Sequence, residues 1–425
     1  MRLIVLDPSL DAYSGHHLSL DLKVAQHFRA QGAECFILAN KAFPDTSVEG
    51  IAVRPYFQHT AYGTIEGDRY ARAHDEFEHF NNAIFKDLRN LPKDFLQPGD
   101  ILFVPTVTEK ILEGIMRWYA SLPLVAARGE TLRMVVFLMM PSGLYFDHGT
   151  EVPRVVDPLT ALFYRLALRK AAEASNPVRF IGTGREHARE YTELAGEPVP
   201  AFALMADASL DRTAARETLK LPAGGRLAVL YAGDCKADKG FSVLPAVTEQ
   251  LCSSYPEWTF VIHFNTRAAW GKVLDDAQKV RQLAEIHDNC ILHEGFLPPG
   301  TYQQIIASAD LVLIPYDREH YRAKSSGILW EALNAGCAVL CPDDCWLEKE
   351  LAAWGGAGKA YAGSGAQQIT AAFSEILQDF DAEMRTAAKA ATEFQRANGL
   401  ETLQGLMMDD APRPHSFAPN RKEKI

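Results

Sequence analysis

Three groups of side chains in this sequence have the types and spacing to hold a phosphorylated ligand. The first is Ser325-Ser326-Gly327, which follows a polar loop and opens an apolar-striped segment. A helix starting there offers a side-chain cap, free backbone N–H groups and no bulky Cβ in its first turn, and such an end attracts anions, phosphate especially. The second is Glu331, at the margin of the stripe formed by Ile328, Leu329, Ala332 and Leu333. Helical side chains lean toward the N-terminus, so this carboxylate points back at the anion site. There it suits the hydroxyls of a sugar better than a phosphate. The third is the pair Lys236 and Lys239 in YAGDCKADKGF, where Gly233 permits a tight exit from a strand and a helix begins near Phe241. Two ammonium groups at the carboxyl end of a parallel strand suit a diphosphate. Taken singly, each group is also an ordinary cap, a solvated acid or a pair of loop lysines. The combination carries the chemistry.

A fourth group lies near the start of the chain, where LDPSLDAYSGHHLSLDL places Gly15, His16 and His17 between a strand and a helix. The glycine lets backbone approach a ligand, and the histidines can donate to phosphate or move a proton. A capping loop with surface histidines is the plainer reading, and the G-x-G-x-x-G of dinucleotide sites is missing. Asp147 and His148 follow a central strand and could reach a ligand. His263 sits in an apolar strand and reads as a core residue. Cys337, Cys341 and Cys345 recur every four residues, but Pro342 rules out one continuous helix, so they read as buried thiols and no metal is expected.

These groups need a scaffold, and apolar runs supply it. Strands are expected at 3–6, 35–38, 51–53, 101–104, 134–140, 179–181 and 201–204, with helices at 17–29 and 69–88 between them. A second series, 228–232, 260–264, 290–293, 311–314 and 338–341, alternates with helices and is followed by helices at 366–378 and 380–395. Such alternation implies parallel sheets covered on both faces. We therefore expect an α/β chain of two Rossmann-like, doubly wound domains facing across a cleft. The first spans 1–205 and the second 226–395. The stretch 206–225, ending in LPAGG, reads as a linker, and 396–425 as a helix end and frayed tail.

Composition limits the partners. A formal charge of −11 argues against broad nucleic-acid binding, and seven cysteines, an odd number, suit a reducing compartment. The opening apolar run is too short for a signal peptide, and no stretch reaches the length of a membrane span. The expectation is a cytoplasmic protein. The segment Ala161 to Glu173 carries Arg165, Arg169 and Lys170 among apolar residues. It reads as a packed helix with a basic face, or as a peripheral contact with the inner face of an anionic membrane.

The ordered motifs YAGDCKADKGF, ILHEGFLPPGTYQQIIASADLVLIPYD and YRAKSSGILWEALNAGCAVL resemble those of GT-B glycosyltransferases, specifically the family-4 group, which uses nucleotide-sugar donors with retention of configuration. The resemblance implies that Lys236 and Lys239 contact the donor diphosphate and that Phe296 and Leu297 lie at the base. The ribose falls to Glu331, as second glutamate of the family's E-x7-E motif, and Gly15 and its histidine neighbours correspond to the family's first loop. The donor is then a substrate, no cofactor or metal is needed, and the acceptor is a glycan, a lipid-linked glycan or a protein. Where the first glutamate of the motif belongs stands Ala323, so recognition of the transferred sugar does not carry over; Lys324 or Ser325 could substitute, as in a branch with S-S-G before this helix. A basic position usually held by arginine is Lys236, and a histidine usual after a central strand of the first domain is missing from the MMPSG loop. Two rivals stand beside this reading: a sugar-nucleotide epimerase of similar shape, with His16, His17 or His148 as acid and base, and an inactive nucleotide-sugar-binding module, which Ala323 motivates.

Overall fold

The computed structural model describes the chain except for positions 14–15, 93, 128, 204–210, 268, 298 and 410–425. It divides into two compact units, Met1–Ala203 with Leu400–Ile425, and Leu204–Gly399.

The first unit is built on a seven-stranded sheet in the order Val178–Gly182, Arg133–Leu138, Ile101–Val104, Arg2–Asp7, Glu34–Asn40, Ile51–Phe57, Ser47–Val48. Every pairing is parallel except that of Ser47–Val48, which folds back on its neighbour. The central strands are buried on both faces, which is why they read as unbroken apolar runs. Helices His16–Ala30, Arg69–Arg89, Glu109–Ala120, Pro158–Ala171 and Arg185–Ala195 cover the sheet. Glu109–Ala120 starts on a Thr108 cap and approaches Arg69–Arg89 at Gly114, where a Cβ would sit 2.1 Å from the Asn81 carbonyl oxygen. Strand order reverses beside Arg2–Asp7, so the carboxyl end of that strand, at Asp7, is a topological switch point.

The second unit is a six-stranded parallel sheet in the order Cys290–Glu294, Trp258–Asn265, Arg226–Asp234, Leu311–Leu313, Ala338–Pro342, Gly358–Tyr361. Numbered within the unit this is 3-2-1-4-5-6, the Rossmann order, with its switch point between the first and fourth strands. The edge strand Gly358–Tyr361 was not expected. It is short and half polar, and Gly358 packs so closely that a Cβ would lie 1.9 Å from the Val339 carbonyl oxygen.

Two segments differ from the sequence expectation. The stretch read as a linker, 206–225, contains the helix Arg212–Leu219, capped by Asp211 and belonging to the second unit. Its inward face is a guanidinium instead of a leucine. Arg216, 5% exposed, bonds Asp310 at 2.8 Å and the carbonyls of Ser308 and Gly225, while Arg212 reaches Asp310 at 3.1 Å. A helix anchored by ion pairs has no apolar stripe to read. Likewise 396–425 is more than a helix end and tail. Leu400–Met408 is a helix of the first unit, with Leu403 and Met407 buried, Gln404 bonded to His27 at 3.0 Å and the Met408 carbonyl bonded to Arg133. Of the strand expected at 201–204, Ala201 makes one parallel bridge to Gly182, and residue 204 lies outside the described residues. Among the described residues no helix is long and apolar enough to cross a membrane.

Candidate functional site

The switch point of the second unit gathers most of the residues singled out in its sequence. The first strand ends at Gly233-Asp234, with Gly233 at φ +138°, a conformation side chains resist. A Cβ at Gly233 would also sit 3.4 Å from the Lys239 ammonium. The lysine loop then turns back on the exit of the fourth strand. Asp317 N donates to Asp238 O at 2.9 Å, and Gly240, at φ +69°, approaches so closely that a Cβ would fall 1.6 Å from the Pro315 carbonyl oxygen. Only glycine fits there. Gly240→Ala is expected to lower stability by about 1–3 kcal/mol, the cost of a forced backbone shift at a left-handed position. A thermal melt unchanged from the parent would show that the loop is not held as described.

Charge in this loop is arranged around Asp234. Asn265 donates to its carboxylate at 2.6 Å and Lys236 pairs with it at 3.3 Å. Burial pushes the Asp234 carboxyl up, but the Asn265 hydrogen bond and the charges of Lys239 and Lys236 outweigh it, and the net shift is downward. Burial pushes the Lys239 ammonium down, with Asp234 opposing and Lys236 adding to the effect. Lys239 Nζ lies 6.0 Å above the centre of the Tyr316 ring. Burial pushes the Tyr316 phenol up, and the nearby Ser326 hydroxyl partly offsets this.

The helix start departs from the expectation. Ser326 is the N-cap residue of Gly327–Asn334, with extended φ −143°, yet its side chain makes no capping bond. The first-turn N–H groups therefore lack the expected side-chain cap. Ser325 and Ser326 are half-buried and Gly327 is exposed. One turn on, the apolar stripe faces the core as expected, and Glu331 is half-buried beside Tyr302, whose phenol is pushed well up by burial and by the Glu331 charge. Phe296 is 76% exposed and Leu297 half-buried, in the loop after Cys290–Glu294. Gly295, at φ +100°, begins that loop, and its carbonyl accepts from His263 Nε2 at 3.1 Å.

In the first unit the switch point holds His17. The Asp7 carboxylate, fully buried, lies 2.7 Å from His17 Nδ1 and accepts from Ser9 N at 2.8 Å. Burial pushes the His17 pKa down, but the hydrogen bond and charge of Asp7 outweigh it and the net shift is up. Asp21, one turn along the same helix, is also fully buried. Burial and the neighbouring Asp7 raise its carboxyl well above the usual range. Tyr62 stands edge-on to His17 at 5.8 Å. Gly15 lies outside the described residues, as does the side chain of His16. His148 is exposed, in a loop where Asp147 pairs with Arg154 at 3.0 Å.

Lys236, Lys239, Ser326 and Glu331 thus belong to one neighbourhood of the second unit. The sequence reading missed Asp7, Asp21, Asp234, Tyr302 and Tyr316. Asp7 and Asp234 each end a first strand, and a polar residue closing an apolar run was the available signal. Tyr302 and Tyr316 gave none, since their roles come from contacts through space. Cys337, Cys341 and Cys345 are buried, and the thiols of Cys337 and Cys345 donate to backbone carbonyls.

No protein-family model matches the sequence, and no curated protein is similar to it in sequence. Solved structures do resemble it. Sucrose-phosphate synthase from Thermosynechococcus elongatus superposes with a TM-score of 0.58 at 14% identity over 96% of both chains. An E. coli trehalose-6-phosphate structure bound with UDP-2-fluoro glucose gives 0.59 at 11% identity, over 96% of this chain and all of the other. WaaG, a glycosyltransferase involved in lipopolysaccharide biosynthesis, gives 0.55 at 13% identity, again over 96% of this chain and all of the other. At such identities the likeness speaks for architecture, and it agrees with the two parallel sheets and the Rossmann strand order: the chain has the GT-B fold.

Proposed function

We propose that this chain is a glycosyltransferase of the retaining, family-4 kind, taking its sugar from a nucleotide-sugar donor held by the second unit. The observation that carries this reading is the lysine loop folded onto Pro315 and Tyr316 at the switch point, with Glu331 a turn further along the helix that Ser326 opens. Lys239, Lys236 and the N–H groups of the helix start stabilise charge that develops on the departing diphosphate. The bond between the anomeric carbon and the diphosphate oxygen breaks, and the electron pair stays with the phosphate. The acceptor hydroxyl oxygen bonds to that carbon from the same face, and its proton passes to the departing phosphate oxygen. No metal ion enters this scheme. Glu331 grips the ribose, and the base lies by Phe296 and Leu297. The first unit recruits the acceptor, a hydroxyl of a glycan, a lipid-linked glycan or a protein. A cytoplasmic protein touching a membrane face fits the helix Pro158–Ala171, which exposes Leu162 and Leu166 alongside Arg165 and Arg169.

Calorimetric titration with UDP, GDP and ADP, followed by turnover of the matching nucleotide sugars, tests the reading. Submicromolar to micromolar binding of one of them and release of its diphosphate with a suitable acceptor are expected. Conversion of the free donor to its epimer would replace the transferase with an epimerase. Tight binding without turnover of any donor would favour an inactive module, the reading that Ala323 motivates. Glu331→Ala is expected to weaken nucleotide-sugar binding about tenfold, the worth of a charged hydrogen bond, with an unchanged melt. Binding equal to the parent's would remove the ribose role.

A further inference from the structure

The strand Trp258–Asn265 delivers His263 to the carboxyl end of the sheet, where the residue is 4% exposed. A carbonyl can only accept, so the contact of Nε2 with Gly295 O at 3.1 Å assigns the proton to Nε2. Nδ1 is then a buried acceptor with no partner among the described residues. Burial also pushes the ring's pKa down, which keeps it neutral. The ring stands edge-on to Tyr302, centroids 5.9 Å apart at 72°. Tyr302 is in turn close enough to Glu331 for that carboxylate, after burial, to push its phenol well up. One line of neighbours therefore runs from the Gly295 carbonyl, just before Phe296 and Leu297, through His263 to the Tyr302 ring, with Glu331 beside the Tyr302 phenol.

We infer that His263 and Tyr302 are positioning residues that fix the spacing between the loop at Gly295–Leu297 and Glu331, so that the site measures the base-to-ribose portion of a nucleoside diphosphate. The inference rests on the donor-site reading above and adds to it a coupling between two parts of the ligand. Neither residue is required to touch the ligand. Loss of either lets the loop and the acid move independently, which lowers affinity for the nucleoside portion and leaves the diphosphate contacts of Lys239 intact.

The test uses the full chain and three variants: His263→Phe, Tyr302→Phe and His263→Gln. Calorimetry with whichever of UDP, GDP or ADP binds the parent is compared with inorganic pyrophosphate. His263→Phe and Tyr302→Phe are each expected to weaken the nucleoside diphosphate about tenfold and to leave pyrophosphate within about twofold. His263→Gln keeps an N–H donor near the reach of Nε2 and should restore most of the loss, which a merely structural role would not do. Tyr302→Phe preserves the ring and removes only the hydroxyl, so it answers the question even where His263→Phe folds poorly. Unchanged affinity in Tyr302→Phe and His263→Phe, or equal losses for pyrophosphate and nucleotide, would overturn the inference alone. A parent that binds none of the three nucleotides overturns the donor reading and this inference with it.

Discussion

Lys239→Met should weaken binding of a nucleoside diphosphate about 100-fold, ~2.8 kcal/mol, and reduce turnover of a nucleotide sugar at least as much. The two lysines of the loop are not equivalent. The Lys236 side chain is 42% exposed and already pairs with Asp234. An exposed ion pair is worth about 0–1 kcal/mol, so its replacement should cost tenfold or less. Lys239 is half-buried behind Gly233 and over the Tyr316 ring, and burial has pushed its pKa below the ordinary lysine range. A partly desolvated ammonium attracts an incoming diphosphate more strongly than a hydrated one. Methionine keeps the length and apolar stem, so the packing survives and the charge alone is removed. The pH dependence has a definite sign. A bound diphosphate favours the ammonium and raises its pKa above the free-state value. Binding at a pH between the two values takes up a proton, and affinity falls as pH rises through the free-state pKa. Calorimetry in buffers of different ionisation enthalpy should register that uptake in the parent and not in Lys239→Met. Equal losses for a nucleoside and its diphosphate would remove Lys239 from the diphosphate site.

The distinction between these lysines could not be read from YAGDCKADKGF, and it shows where legibility stopped. The strand there was expected at 228–232 and runs Arg226–Asp234. Its apolar centre announces a buried parallel strand, whereas its polar end, which bears the site, breaks the pattern. The same holds at Arg2–Asp7, where the expected run ends at Leu6 and the carboxylate that engages His17 comes next. The helix start at Ser326 was legible because serine and glycine before an apolar stripe are a local signal. The missing side-chain cap was not, because the Tyr316 beside Ser326 arrives from the preceding strand's exit, which is set by how Gly240 packs on Pro315. The parallel α/β architecture follows from a period that every strand repeats. The helix Arg212–Leu219 hides from the same analysis because ion pairs anchor it, and Leu400–Met408 because nothing local says that a chain must return to its first unit.

Asp21→Asn should make the first unit more stable at neutral pH, an uncommon outcome for a buried substitution. Asp7, His17 and Asp21 are fully or nearly fully buried, and one imidazole cannot compensate two carboxylates. The Asp7 oxygens are engaged by His17 Nδ1 and Ser9 N, while burial and the Asp7 charge push the Asp21 carboxyl well up. An acid whose folded pKa is raised contributes stability that is fully present below its unfolded pKa, about 3.9, and lost as pH rises through the folded value. Across that window the parent should lose about 1.4 kcal/mol per pH unit to this one group. Asparagine has the same shape without a proton to lose, so its contribution is flat. The variant's advantage should accordingly be small in acid and grow as pH rises through the window. Each kcal/mol corresponds to about 2–4 °C for a unit of this size. His17, whose folded pKa is also raised, adds a second loss beginning near its unfolded value of about 6.5, and this one persists in Asp21→Asn. Urea unfolding at a series of pH values separates the two. The difference between parent and variant reports Asp21, and the slope left in the variant above neutral pH reports His17. Parallel stability curves for parent and variant would mean that Asp21 is ionised in the folded state, and that the burial and the Asp7 charge pressing on it are offset by a partner that asparagine also satisfies.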